Sequence, residues 1–177
     1  MLVKHRCINQ YPITGKKVLV IGTFNPDIVC NEAKFFYGRK KNYFWNLLPK
    51  IFNHECLKDK SLELKINFLE INNIELTDLI LSVDILEKDI PSYGDDKLNK
   101  VIEWNTDNIL NILKKKNTQE VYFTRKSFDT KVKNIKTEID KIKMYCENNN
   151  IKFKFLPTPS RYENNTKLEE WKSKFKD

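Results

Sequence analysis

Apolar residues fall along this chain in two spacings that alternate. Val18 to Ile21 form an unbroken, largely β-branched run closed off by Gly15 and Gly22, the pattern of a strand covered on both faces. Residues 74–79, 120–124 and 151–156 are three further short runs of the same kind. Between them the apolar positions recur every three or four residues. Phe44, Leu47, Leu48, Ile51 and Phe52 line one helical face, which Pro49 must kink or shorten. Leu62, Leu64, Ile66, Phe68 and Leu69 mark a second helical segment, and Leu98, Ile102, Ile109, Ile112 and Leu113 a longer third. Val132, Ile135, Ile139, Ile142 and Tyr145 mark a fourth. Strands alternating with helices predict an α/β fold, a three-layer α/β/α arrangement around a central four-stranded, mostly parallel sheet.

No repeat, flexible linker or shift of composition divides the chain, so residues 1–177 are expected to form one domain. Residues 84–96, with Pro91 and Gly94, make the longest irregular stretch. The tail closes with a short Lys-rich amphipathic segment around Leu168, Trp171 and Phe175. Ligands of open α/β sheets bind beyond the carboxyl ends of the strands. Here that edge carries residues 22–27, Thr77-Asp78, Thr124-Arg125 and residues 156–162.

Charge narrows the choice of partner. The formal net charge of +8 favours an anion, because clustered Lys and Arg gain affinity by releasing counterions from phosphates. Cys7, Cys30, Cys56 and Cys146 stand far apart without a C-x-x-C pair, and His5 and His54 are isolated. Neither a zinc nor an iron–sulfur spacing is present, so chemistry without metal or cofactor is expected. No apolar run approaches a membrane span and the N-terminus lacks a signal-peptide core, which predicts a cytoplasmic or nucleoid-associated protein that acts as a monomer.

Three motifs can carry chemistry. Gly22-Thr23-Phe24-Asn25-Pro26-Asp27 makes a tight turn directly after a strand, where Gly permits close approach and Pro fixes the exit. Neither G-x-G-x-x-G nor G-x-x-x-x-G-K-S/T occurs, which argues against a Rossmann dehydrogenase or a P-loop ATPase. Phe36-Tyr37-Gly38-Arg39-Lys40-Lys41-Asn42-Tyr43-Phe44-Trp45 sets an aromatic, a basic cluster and an amide beside a helix start. A pocket for a flat polar ring beside phosphate needs those groups. Leu156-Pro157-Thr158-Pro159-Ser160-Arg161-Tyr162 is a loop stiffened by two prolines, able to hold phosphate through Ser160 and to wedge a duplex with Arg161 or Tyr162.

Taken in order, the three motifs resemble those of the uracil-DNA glycosylase superfamily, in particular its mismatch-specific uracil/thymine and hypoxanthine branches. The mismatch branch carries a Gly-Ile-Asn-Pro-Gly turn, a Phe-Ala-His-Pro-x-Asn-x-Phe-Trp block and a late Leu-Pro-Asn-Pro-Ser. Residues 37–45 match the central block without a gap. The resemblance implies a uracil-DNA glycosylase-like fold and a monofunctional DNA N-glycosylase that excises uracil or hypoxanthine. It makes Asn42 and Asn25 the catalytic candidates and places Gly22, Phe24, Tyr37 and Thr124 around the base. Lys40, Lys41, Arg125, Ser160, Arg161 and Tyr162 would face DNA. Two positions depart from the pattern. The superfamily sets its water-orienting Asp or Asn two residues after the turn glycine, where Phe24 stands here, with Asn25 one position later. The hypoxanthine branch reads Gly-Ser-Phe-Pro there and fits better. Thr124-Arg125 occupies the place of a base-reading Asn, which keeps a second reading open: a catalytically degenerate nucleic-acid or nucleotide-binding member of the same fold.

Overall fold

The computed structural model describes residues 1–86, 88, 101–115, 117–128 and 133–176. In chain order its elements are β1 (Leu2–Lys4), β2 (Val18–Gly22), α1 (Phe44–Ile51), α2 (Leu62–Ile71), β3 (Ile74–Asp78), β4 (Ile80–Asp84), β5 (Val101–Trp104), α3 (Thr106–Lys115), β6 (Glu120–Phe123), α4 (Lys133–Asn148), β7 (Lys152–Phe155) and α5 (Asn165–Lys176). The four expected strands pair in parallel in the order β3-β2-β6-β7. Gly22 lies in register with Asp78, and Ile21 with Phe123.

Alternation along the strands builds two cores, one on each face of this sheet. Leu19, Ile21, Val121 and Phe123 enter one core, with Ile109 and Leu113 of α3 and Ile135, Ile139 and Ile142 of α4. Val20, Ile74, Leu76 and Tyr122 enter the other, with Phe44, Trp45, Leu47 and Leu48 of α1, Phe68 and Leu69 of α2, and Trp171 of α5. The layers are therefore helix, sheet, helix.

Polar residues inside this frame have assigned tasks. Glu75 on the fully buried β3 takes hydrogen bonds from the Thr14 hydroxyl (2.8 Å) and the Gly15 and Lys16 amides (2.8 and 3.3 Å), and also from the Thr14 amide. One carboxylate thus satisfies the loop that leads into β2. Pro49 shortens α1, as expected. It has no amide proton to give Trp45, whose carbonyl accepts from Leu57 N–H instead (2.8 Å), and the helix stops at Ile51.

Three features differ from the sequence reading. A second, antiparallel sheet of order β1-β4-β5 packs into the α3/α4 side; its strands are short, and single residues, Leu79 and Asn105, separate β4 from the strand before it and β5 from the helix after it. The long third helical segment is two elements, because Ile102 sits on β5 and is exposed, while α3 starts only after the buried Asn105. On α2, Leu62 and Leu64 are exposed and only Phe68 and Leu69 are buried, so its alternating spacing gives a narrow apolar stripe. Leu98, Val132 and most of residues 84–96 lie outside the described residues.

Among the described residues no helix is long and apolar enough to cross a membrane, and no group of three or more His, Cys, Asp or Glu could hold a metal ion.

Candidate functional site

The carboxyl edge of the parallel sheet opens into a cavity of about 590 Å³. It brings together residues far apart in sequence: Phe24 and Asn25 after β2, Tyr37 and Asn42 before α1, Asp78 at the end of β3, Thr124 after β6, and Ser160 after β7. All three sequence motifs contribute to the same wall.

The floor is made by Asp78, Tyr37 and Thr124, beside Gly22, which does not itself line the cavity. A Cβ on Gly22 would lie 2.2 Å from Asp78 Oδ1 and 2.8 Å from the Tyr37 hydroxyl, so both groups converge on the space a side chain would fill. Tyr37 Oη and Thr124 Oγ1 are 3.2 Å apart, and Thr124 also donates to the Ile21 carbonyl (3.3 Å). Burial, reinforced by the Asp78 charge, raises the Tyr37 pKa well above its ordinary value, so the phenol stays protonated and donates to Thr124 Oγ1, whose own proton goes to the Ile21 carbonyl. Gly22→Ala is expected to displace the Asp78 carboxylate and to destabilise the protein by about 1–3 kcal/mol, the usual penalty for overpacking, as chemical denaturation would measure.

Tyr37 reaches the floor through an uncommon backbone. Its φ of 56° is in the left-handed region, sparsely used by bulky residues. The turn is held by the Trp45 indole donating to the Phe36 carbonyl (2.9 Å) and by Gly38 N–H donating to the Phe35 carbonyl (3.2 Å). The Tyr37 ring stacks on Phe44 with centroids 3.9 Å apart and planes 8° from parallel. One face of the ring is thereby covered and stiffened.

Asn42 stands at the junction of two motifs. It forms an antiparallel bridge with Ser160, flanked by Tyr43 N–H to the Pro159 carbonyl (2.8 Å) and Arg161 N–H to the Lys41 carbonyl (3.0 Å). Its Oδ1 accepts from Phe44 N–H (3.0 Å) at the start of α1, and no described residue accepts from its Nδ2. The amide is thus fixed by its oxygen, with its nitrogen left available. Asn25 is placed differently. It lines the cavity but is buried, and its Oδ1 accepts from Asn31 (2.7 Å). Its Nδ2 lies against Cys7 Sγ and the Ala33 and Phe35 carbonyls at 3.3–3.5 Å. Both ends of that amide organise the loop over residues 25–35, which Arg6 also clamps through the Ile28 and Asn31 carbonyls.

Cations ring the opening. Lys41, Arg125 and Arg161 line it as expected, and Arg39 and Lys126 join them. Lys40 and Tyr162 are exposed but do not line the cavity. Ser160 Oγ pairs with Thr158 Oγ1 (2.8 Å), while the buried Lys167 holds the loop by donating to the Ser160 and Tyr162 carbonyls (3.2 and 2.7 Å). Burial foremost, then the nearby Arg161 charge, lowers the Lys167 pKa.

Sequence reasoning left two site residues unassigned. Asp78 was placed on the right edge without a role, and His5 was read as isolated. His5 Nε2 lies 2.7 Å from Asp78 Oδ2, with both side chains buried. The pair is separated by 73 positions, so no local pattern announces it.

No protein-family model and no curated protein matches the chain. Its fold is similar to the solution structure of a Methanosarcina acetivorans protein provisionally assigned as a uracil DNA glycosylase. The TM-score is 0.62 at 18% identity, over 98% of this chain and 96% of that one. The chain therefore has a uracil-DNA glycosylase-like fold.

Proposed function

We propose that this chain is a monofunctional DNA N-glycosylase, a hydrolase that flips a deaminated or mismatched base, uracil or hypoxanthine, out of DNA and cleaves its glycosidic bond. The observation that carries the reading is the convergence of Tyr37, Asn42, Thr124 and Ser160 on one cavity beneath a rim of cations. Phosphates flanking the extruded nucleotide meet Lys41, Arg125, Arg161 and the Ser160 loop, which orients the strand without reading it. The ring enters beside Tyr37, and extrusion costs a few kcal/mol, least at a mismatch or lesion.

Cleavage passes through an oxocarbenium-like sugar while negative charge gathers on the departing base. Fixed donors stabilise that charge without a covalent nucleophile, and Asn42 Nδ2, which has no acceptor among the described residues, is a donor of this kind. Asn42 can equally hold the attacking water. Water adds to the anomeric carbon, the C–N bond breaks, and the water's proton balances the one the base acquires.

The second reading, a degenerate binder of nucleic acid or nucleotides, rests on Phe24 and Thr124 standing where a water-orienting group and a base-reading amide are expected. Both readings require an electrostatic DNA interface. Affinity is expected to fall steeply with salt, and Ala at Lys41, Arg125 or Arg161 to lower the slope of log K against log[salt] by about one each. A slope unchanged by all three substitutions would remove the cavity mouth from the interface. The test of function is release of free base from oligonucleotides bearing uracil, hypoxanthine, xanthine or mismatched thymine.

A further inference from the structure

A nucleotide that enters this cavity with its phosphates at the cationic rim presents, to the floor, the base edge farthest from the sugar. What stands on that floor is a carboxylate. Asp78 is 5% exposed, lines the cavity, and has one oxygen held by His5. The Cys7 and Ile8 amides donate to His5 Nδ1 (3.0 and 3.1 Å), so that nitrogen is an acceptor and the ring proton sits on Nε2, donated to Asp78 Oδ2. Phe24 and Phe36 pack against the imidazole at 5.8 and 5.6 Å and hold its plane. The other oxygen, Oδ1, lies over Gly22, and no described residue donates to it. The floor therefore offers a rigid, acceptor-only group.

We infer that Asp78 is the specificity-determining residue of the pocket, with His5 as its positioning residue, and that the pair selects a 6-oxopurine edge over uracil. The inference rests on the base-pocket reading above. A ring N–H is what a carboxylate oxygen can accept. Uracil offers only N3–H, with a carbonyl oxygen on each side, so an oxygen accepting that proton lies against two others. A 6-oxopurine offers N1–H with a carbonyl on one side only, and with C2–H or an amino group on the other.

Titration with free deoxynucleoside monophosphates tests this apart from base release. Wild-type protein is expected to bind dIMP and dGMP about tenfold or more tighter than dUMP and dTMP, the scale of one well-placed polar contact to a base edge. Asp78→Asn, which is isosteric and offers a donor as well as an acceptor, should shrink that ratio to about threefold or less, with folding checked by circular dichroism. Ribose 5-phosphate should bind both proteins alike, reporting the rim alone. Ring ¹⁵N shifts should place the His5 proton on Nε2, and His5→Asn should weaken the purine preference.

Equal binding of the nucleotides, a preference for dUMP, or a His5 proton on Nδ1 would overturn the inference. A purine preference that survives Asp78→Asn would overturn it too, since ring stacking alone would then explain it. Failure to release any base from DNA, with the nucleotide ratio intact, would instead refute the glycosylase reading and leave the floor assignment standing.

Discussion

Asn42→Ala is expected to slow base release by about 10²-fold or more while DNA affinity changes little, the pattern left when one preorganised donor acts only in the transition state. The geometry supports a selective effect. Asn42 is fixed through its oxygen by Phe44 N–H, and its backbone pairs with Ser160 through peptide groups that an alanine retains. What disappears is Nδ2 and whatever it would hold at the sugar or base. Because α1 also loses the Oδ1 contact, a stability cost of about 1 kcal/mol is expected alongside. Single-turnover rates at saturating enzyme separate the two effects, since a fold defect would lower the active fraction and leave the rate constant unchanged. A rate constant equal to that of wild type would show that Asn42 only shapes the loop.

Trp45→Ala should have the largest effect on stability, about 3–5 kcal/mol, as is usual for deleting a buried Trp. Trp45 is 1% exposed, contacts Phe35 and Phe44 edge or face, and closes the turn around Tyr37 through its indole N–H. A loss of that size is a large share of the 5–15 kcal/mol that typically keeps a domain folded. Urea denaturation measures it. The Tyr37 turn should loosen in the same variant, so base capture should suffer even under conditions where the protein remains folded. A cost below about 1 kcal/mol would mean that the aromatic cluster does not support the pocket.

The parallel sheet was legible because its strands are short apolar runs, and a sheet buried on both faces requires such runs. The rule that ligands meet strand ends put Thr124 and Ser160 on one edge, and the resemblance added Tyr37 and Asn42, which the structure brings to the same cavity. The antiparallel sheet was not legible. Val101 to Trp104 is a four-residue strand with one apolar residue largely exposed, and nothing local separates it from the helix that follows. The Glu75 loop staple and the His5–Asp78 pair were hidden for another reason. Each joins residues about 60 or more positions apart, and buried polar groups are explained only by partners that folding brings near. Asn25 illustrates the converse. Its place after the turn glycine suggested chemistry, but the amide's neighbours, Asn31 and the Ala33 and Phe35 carbonyls, occupy both its ends.

Strand scission at excised bases tests the proposed glycosylase activity most directly. Duplexes carrying a single uracil, hypoxanthine, xanthine or mismatched thymine, incubated with excess protein and then heated in alkali, convert each excised base into one strand break. Breaks are expected at hypoxanthine or uracil, matched by free base in the supernatant, and greatly slowed in Asn42→Ala. Protein that binds these duplexes with the expected salt dependence yet leaves every strand intact and releases no base would contradict it, and the binding-module reading would take its place.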